Sequence, residues 1–145
     1  MHRRAATVAR ALQLEAAAGA AAELRLEQPR SEYLVAWDGD EPVGHVCIEW
    51  SEPPELQDLW VLPERRGHGV GTTLVAAVES AVAAQGRATL RLTVGEDNVG
   101  AARLYERLGY ARTGRPPRRV KGTILLRGEP FEVDDTLLEY TKDVE

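Results

Sequence analysis

Hydrophobic positions in this chain switch between a spacing of two and a spacing of three to four, and the switches divide it into strands and helices. Residues 33–37 are rich in β-favouring side chains. Asp38-Gly39-Asp40 supplies a hairpin-type turn, and 42–50 is apolar again, so the two runs read as an antiparallel pair. Pro53-Pro54 interrupts the chain before a third strand over 56–62, which stops at Pro63. From Gly71 the apolar residues Leu74, Val78, Ala81 and Val82 recur at helical spacing, and Gly86 ends the run. Residues 89–94 alternate with period two. Residues 98–108 are helical, with Asn98 as a natural N-cap and Gly109 as a left-handed stop. The tail holds two more strand candidates, 123–126 and 136–140.

Ahead of these elements, the Ala- and Leu-rich stretch 5–26 favours a helix by propensity, with Pro29 closing it. Its arginines resemble those of a targeting peptide, but Glu15 and Glu23 interrupt it and the same Ala and Arg bias runs through the whole chain. Strands first paired and then alternating with helices predict an α/β fold, a mixed sheet with helices packed on it. Neither an internal repeat nor a linker divides the sequence, so residues 1–145 read as one domain.

Composition narrows the chemistry. With 145 residues and 43% hydrophobic content the chain can bury a sizeable core. A net charge of −5 and a pI near 5.3 argue against a general grip on nucleic acid. No apolar run approaches the ~20 residues that cross a bilayer, so no membrane is expected as a partner. The single cysteine, Cys47, lies in the apolar run Val46-Cys47-Ile48, where it reads as a buried packing residue; with no disulfide framework, a reducing cytoplasm is the default location.

Three glycines at alternate positions, Gly67, Gly69 and Gly71, fall between the third strand and the following helix. Free amides at a helix start attract anions, and glycine lets a phosphate come close. A Walker A loop is excluded because the segment has no lysine, and a dinucleotide fingerprint because Thr72 stands where its third glycine belongs. What fits is Arg/Gln-x-x-Gly-x-Gly/Ala, as Arg66-Gly67-His68-Gly69-Val70-Gly71.

This hexapeptide, the strand Leu59-Trp60-Val61-Leu62-Pro63 before it, and the block 98–110 with Asn98, Ala101, Leu104, Tyr105, Gly109 and Tyr110 at the signature spacing together resemble the GNAT superfamily of acetyl-CoA-dependent N-acetyltransferases. The resemblance covers about residues 55–113. It implies a mixed, mostly antiparallel central sheet splayed between two parallel strands, with helices on both faces. This chain departs from the family pattern at its start, which is helical in sequence. Either the first strand is missing from the sheet edge or the chain begins after it.

The resemblance also assigns roles. Acetyl-CoA is the expected co-substrate, and no metal is expected. Its diphosphate would lie on main-chain amides of Gly67, His68, Gly69, Val70, Gly71 and Thr72, and its pantetheine arm would enter between the diverging strands, borrowing ladder groups of Leu59, Trp60 and Val61, a form of strand addition. Asn98 would contact that arm or simply cap its helix. Arg66 would sit near phosphate or be solvated, and His68 would face solvent. Attack of an amine on a thioester needs a proton taken from the ammonium, a donor to the developing oxyanion and a proton for the leaving thiolate. Val61 N–H is the expected oxyanion donor. Tyr105 is the expected acid, with packing against Leu104 and Leu108 as the plain alternative. Glu55, six residues before Val61, where several family members carry a catalytic glutamate, is the candidate base that the resemblance implies. An even separation would put both on one strand face, and an ordinary surface glutamate after two prolines is the plain alternative. Glu49, Asp58 and His45 are lesser candidates, and a water chain without a dedicated base is the remaining option.

The acceptor, a small-molecule or peptide amine, is not written in the sequence, and a homodimer stays open. The loop 112–121, with five basic side chains, would border the acceptor pocket and draw an acidic acceptor, touch the 3′-phosphate of CoA, or stay a solvated connection. Trp50 is a candidate for substrate contact. The leading reading is a primary-amine N-acetyltransferase. The alternatives are an acyl-CoA-binding sensor or regulatory domain without turnover, and a nucleotide-binding module of another fold.

Overall fold

The computed structural model describes residues 7–11 and 30–145. Strand β1 (Thr7–Ala11) pairs antiparallel with β2 (Ser31–Asp38), which the two-residue turn Gly39-Asp40 joins to β3 (Glu41–Glu49). Gly39 takes the left-handed φ of 64° that this tight turn requires. The expected helix over 5–26 is therefore wrong for residues 7–11. Pairing along β2 overrides the helix propensity of the alanines there, and the sheet does have an edge strand ahead of its hairpin. The rest of that expected helix lies outside the described residues.

From β3 the chain passes to β4 (Glu55–Val61), a short 3-10 turn at Pro63–Arg65, α1 (Val70–Ala84), β5 (Thr89–Gly95) and α2 (Val99–Arg107). It ends in β6 (Ala111–Arg112), β7 (Arg118–Leu126) and β8 (Glu129–Asp143). Among the described residues eight strands form one mixed sheet in the order β1-β2-β3-β4-β5-β8, with β6 and β7 along the outer edge of β8. Every pairing is antiparallel except β4 with β5, which are parallel and meet at one register position, Glu55 opposite Arg91. Beyond it they diverge. The tail strands are longer than their sequence pattern suggested, because β7 and β8 continue past the sheet as a hairpin turning at Arg127-Gly128.

The core gathers on one face. Leu74, Val75, Val78 and Val82 of α1, spaced three and four apart, bury against Leu34, Val46, Ile48 and Leu56 of the sheet and Leu90, Leu92 and Val94 of β5. Tyr105 of α2 joins the same cluster and meets Tyr110 edge-on at 5.7 Å. The Tyr110 hydroxyl donates to Glu79 of α1 at 2.8 Å, and Lys142 of β8 bonds the same carboxylate at 3.1 Å, tying α2's exit to both. Since side chains alternate along a strand, Arg91 and Thr93 project from the face opposite Leu90, Leu92 and Val94.

Candidate functional site

The loop from Arg66 to Thr72 owes its shape to glycine. Gly67 and Gly69 sit at φ 77° and 86°, and Gly69 is the left-handed N-cap of α1, with no side-chain cap. Thr73 supplies the first amide to find a partner, donating to the Gly69 carbonyl at 3.0 Å. Among the described residues no backbone acceptor serves the amides of Gly67 to Thr72. Six consecutive N–H groups without a backbone acceptor therefore lie at the start of α1, where its dipole is positive, an arrangement suited to an anion with several oxygens. Arg66 does not point into it: its Nε donates to the Val61 carbonyl at 3.0 Å.

The edge of β4 is the second component. Leu62 N–H bonds Val43 of β3 at 2.9 Å, and the Trp60 carbonyl lies against Gly44 of β3. Backbone groups alternate edges along a strand, so those of Leu59 and Val61 face the gap left by β5. The gap is built by a bulge: between the pairs Cys47–Gln57 and His45–Trp60, β3 advances two residues and β4 three, with Asp58 at φ 52°.

That bulge also inverts side-chain parity. Glu55 and Gln57 share a face with Glu49 and Arg91, while Leu59 and Val61 pack toward the core, so Glu55 and Val61 do not share a face as the even spacing predicted. On the open face, Gln57 Nε2 bridges Glu49 at 2.6 Å and Glu55 at 2.8 Å, and Arg91 Nη1 lies 3.5 Å from Glu55. Next to this trio a second cluster surrounds Asp58. Tyr33 donates to its carboxylate at 2.8 Å, Arg127 bonds the same oxygen, and His45 Nε2 lies 3.4 Å from it and 3.1 Å from Arg127 Nη1. His45 also stacks on Trp60 at 5.6 Å. Burial pushes the His45 imidazole below its usual value and Arg127 adds to this, while Asp58 opposes both. Burial and then the Asp58 bond push the Tyr33 phenol up.

Over residues 6–110 the sequence matches the Acetyltransferase (GNAT) family. The chain belongs to that family. Among curated relatives, an uncharacterized N-acetyltransferase of Methanocaldococcus jannaschii is 34% identical over 86 residues, and a mycothiol acetyltransferase of Streptosporangium roseum is 38% identical over 74. These stretches take in 54% and 51% of this chain but 38% and 19% of the relatives' own length, so each relative is much longer than the part matched. A GNAT family acetyltransferase from Elizabethkingia anophelis, solved with acetyl-CoA bound, superposes with a TM-score of 0.68 at 17% identity, covering 95% of this chain and 97% of that one.

In this GNAT domain two signature side chains from the second block sit at α2. Asn98 Oδ1 accepts from Ala101 N–H at 3.1 Å, so the helix cap is real, and its Nδ2 has no hydrogen-bond partner among the described residues. Tyr105 is 7% exposed, and burial pushes its phenol up to about 12. No hydrogen bond to its hydroxyl is found among the described residues. The Trp50 indole donates to buried Glu32 at 2.9 Å and packs toward the core, away from the open face. His68 is exposed. Gln57, Tyr33, Arg91 and Arg127 were not among the sequence candidates; Arg127 lies 69 residues from Asp58 and no local pattern joins them. No group of acidic, His or Cys side chains suited to a metal occurs among the described residues, and no described helix is long and apolar enough to cross a membrane.

Proposed function

We propose that this domain transfers an acetyl group from acetyl-CoA to a primary amine in a ternary complex. The observation that carries the reading is the run of amides from Gly67 to Thr72 that have no backbone acceptor among the described residues, one short turn after a strand edge that β5 leaves uncovered at Leu59 and Val61, where the Val61 carbonyl meets only the Arg66 side chain. The first suits a diphosphate and the second an amide-bearing arm, and the two are joined in the order a coenzyme thioester needs. Beyond their chain neighbours, Gly67 and Gly69 have no atom within 4 Å of where a Cβ would stand, so no described side chain fills the space beside the loop there. Acetyl-CoA bound to the Elizabethkingia relative adds support from the same fold.

Acetyl-CoA supplies an activated acyl carbon. The protein holds the phosphates on the loop and offers Val61 N–H to the carbonyl oxygen as it gains charge. Asn98 Nδ2 is free to donate to the arm. Tyr105 hands its proton to the departing sulfur. Its phenol stays protonated at neutral pH, and the apolar surroundings that raise it would raise a thiol beside it in the same direction. Glu55, where β4 and β5 part, takes the proton from the incoming ammonium directly or through water, with Glu49 and Asp58 alongside.

Titration calorimetry with acetyl-CoA, ATP and NAD tests the donor, and release of CoA thiol with an amine panel tests the transfer. Binding of acetyl-CoA alone together with amine-dependent thiol release is expected. Tight acetyl-CoA binding without release under any amine would instead favour an acyl-CoA-sensing domain.

A further inference from the structure

A cavity of about 410 Å³ opens on the face of the sheet opposite the core, floored by Arg91 and Thr93 of β5 and walled by the loop and strand that carry Arg115, Arg118 and Arg119, with Glu139 of β8 as its carboxylate. That volume suits a small molecule. Four guanidinium groups against one carboxylate is an unusual lining in a chain of net charge −5.

The pairing of those arginines is uneven. Arg91 is held by Glu55, by the Pro53 carbonyl at 3.2 Å and by Ser51 at 3.3 Å, and Arg119 bonds Asp134 at 2.5 Å. Among the described residues the Arg115 guanidinium meets only Glu139, at 3.5 Å, and its side chain is 77% exposed. Arg118 has no ion-pair partner among the described residues. Pro116 and Pro117, between them, carry no N–H, so that part of the wall leaves donation to the guanidinium groups on either side. The floor begins at Arg91, the last position where β5 touches β4, and the Glu49-Gln57-Glu55 trio adjoins it through the Arg91–Glu55 contact. The cavity thus has unspent guanidinium groups at its outer wall, while the Glu55 carboxylate lies just beyond the lining, on the far side of the Arg91 contact, where the strand gap opens.

We infer that the cavity receives the acceptor, and that the acceptor is a small primary amine carrying an anionic group, its nitrogen toward Glu55 and its anion on Arg118 and Arg115. This rests on the acetyl-transfer reading and specifies its substrate class. Planar guanidinium donors match carboxylate and phosphate oxygens, and a cationic tail would meet like charge instead.

The test compares 1-aminohexane, 1,6-diaminohexane and 6-aminohexanoate, three amines that differ only in the tail, by thiol release from acetyl-CoA. A kcat/KM for 6-aminohexanoate at least about tenfold above the other two is expected, the scale of one charge-assisted contact. Arg118→Gln, on an exposed side chain, should remove most of that advantage through KM, and Arg118→Lys should restore part of it. Equal rates for the three tails, preference for the diamine, or an Arg118→Gln effect confined to acetyl-CoA affinity in calorimetry each overturn the inference and leave the transfer reading standing. Absence of release with every amine, despite acetyl-CoA binding, overturns both.

Discussion

Arg127, at the tip of the β7–β8 hairpin, bonds the carboxylate of Asp58, the residue at the bulge of β4. One contact thus fastens the hairpin over the open face and brings a guanidinium beside His45. Because Arg127 is among the causes that lower the His45 imidazole and Asp58 opposes it, the two substitutions should act oppositely. Arg127→Ala should raise the His45 pKa and Asp58→Asn should lower it further, read from imidazole resonances in an NMR pH titration. Shifts of the same sign in both variants would show that the imidazole responds to burial alone.

The same depression predicts a pH dependence of stability. A histidine whose folded-state pKa lies below its unfolded value near ~6.5 binds fewer protons folded than unfolded, so stability rises with pH across that window and is lost as pH falls from ~6.5 toward the folded value. Thermal unfolding of the protein and of His45→Gln between pH 7 and 5 should show the steeper loss in the unsubstituted chain. Parallel slopes would remove His45 from the account.

Glycines of the donor region should separate stability from binding. At Gly69 a Cβ has room but φ is 86°, so Gly69→Ala should cost about 1–2 kcal/mol in backbone strain and weaken acetyl-CoA binding more than stability explains. Gly71 lies in the first turn of α1, and its Cβ would stand 3.9 Å from Val61 Cγ2, an ordinary contact. Gly71→Ala should therefore keep its affinity and gain up to about 1 kcal/mol. At Gly44 a Cβ would come within 2.8 Å of the Trp60 carbonyl and press on Leu74 and Val70, so Gly44→Ala should cost about 1–3 kcal/mol by strain in the core. Calorimetry and melting curves on the three variants give the comparison.

Much of this was legible because it is local. The Asp38-Gly39-Asp40 turn, the two helices, the glycine loop and the Asn98 cap each depend on a few neighbouring residues whose φ preferences or side-chain donors act within a turn. Elsewhere long-range pairing decided the outcome. β1 is a strand because β2 offers it a ladder, although its alanines favour helix. Glu55 and Val61 fall on opposite faces because of a bulge that even counting cannot reveal. The Asp58–Arg127 contact needed the hairpin's full length and path, and the cavity needed its loop placed beside β5. Only the loop's basic character was visible beforehand.

Cys47 is 4% exposed, and burial pushes its thiol up to about 12. The thiolate is the reactive form, so the folded protein should resist a disulfide reagent at pH 8 and react at the rate of global opening, with full reaction in denaturant. Fast labelling of the native protein would mean that β3 is not covered in solution.

Two tyrosines in edge-on contact should answer substitution in opposite ways. Tyr110 donates its hydroxyl to Glu79, and the bond joins α1 to the exit of α2; Tyr110→Phe should therefore cost about 1.5–3 kcal/mol, the range for hydrogen bonds to charged groups, with transfer retained. Tyr105 lies 5.7 Å away, ring to ring, and its hydroxyl has no partner among the described residues to lose. Tyr105→Phe should leave the melting temperature within a degree or two, since the stability change expected is below about 0.5 kcal/mol, while thiol release falls by about 10²-fold or more. The pH profile adds a further control, since a phenol raised to about 12 stays protonated up to pH 10 and should put no alkaline limb of its own on the rate. A Tyr105→Phe enzyme that releases thiol at the unsubstituted rate would return Tyr105 to the role of core packing, with the leaving sulfur protonated by water.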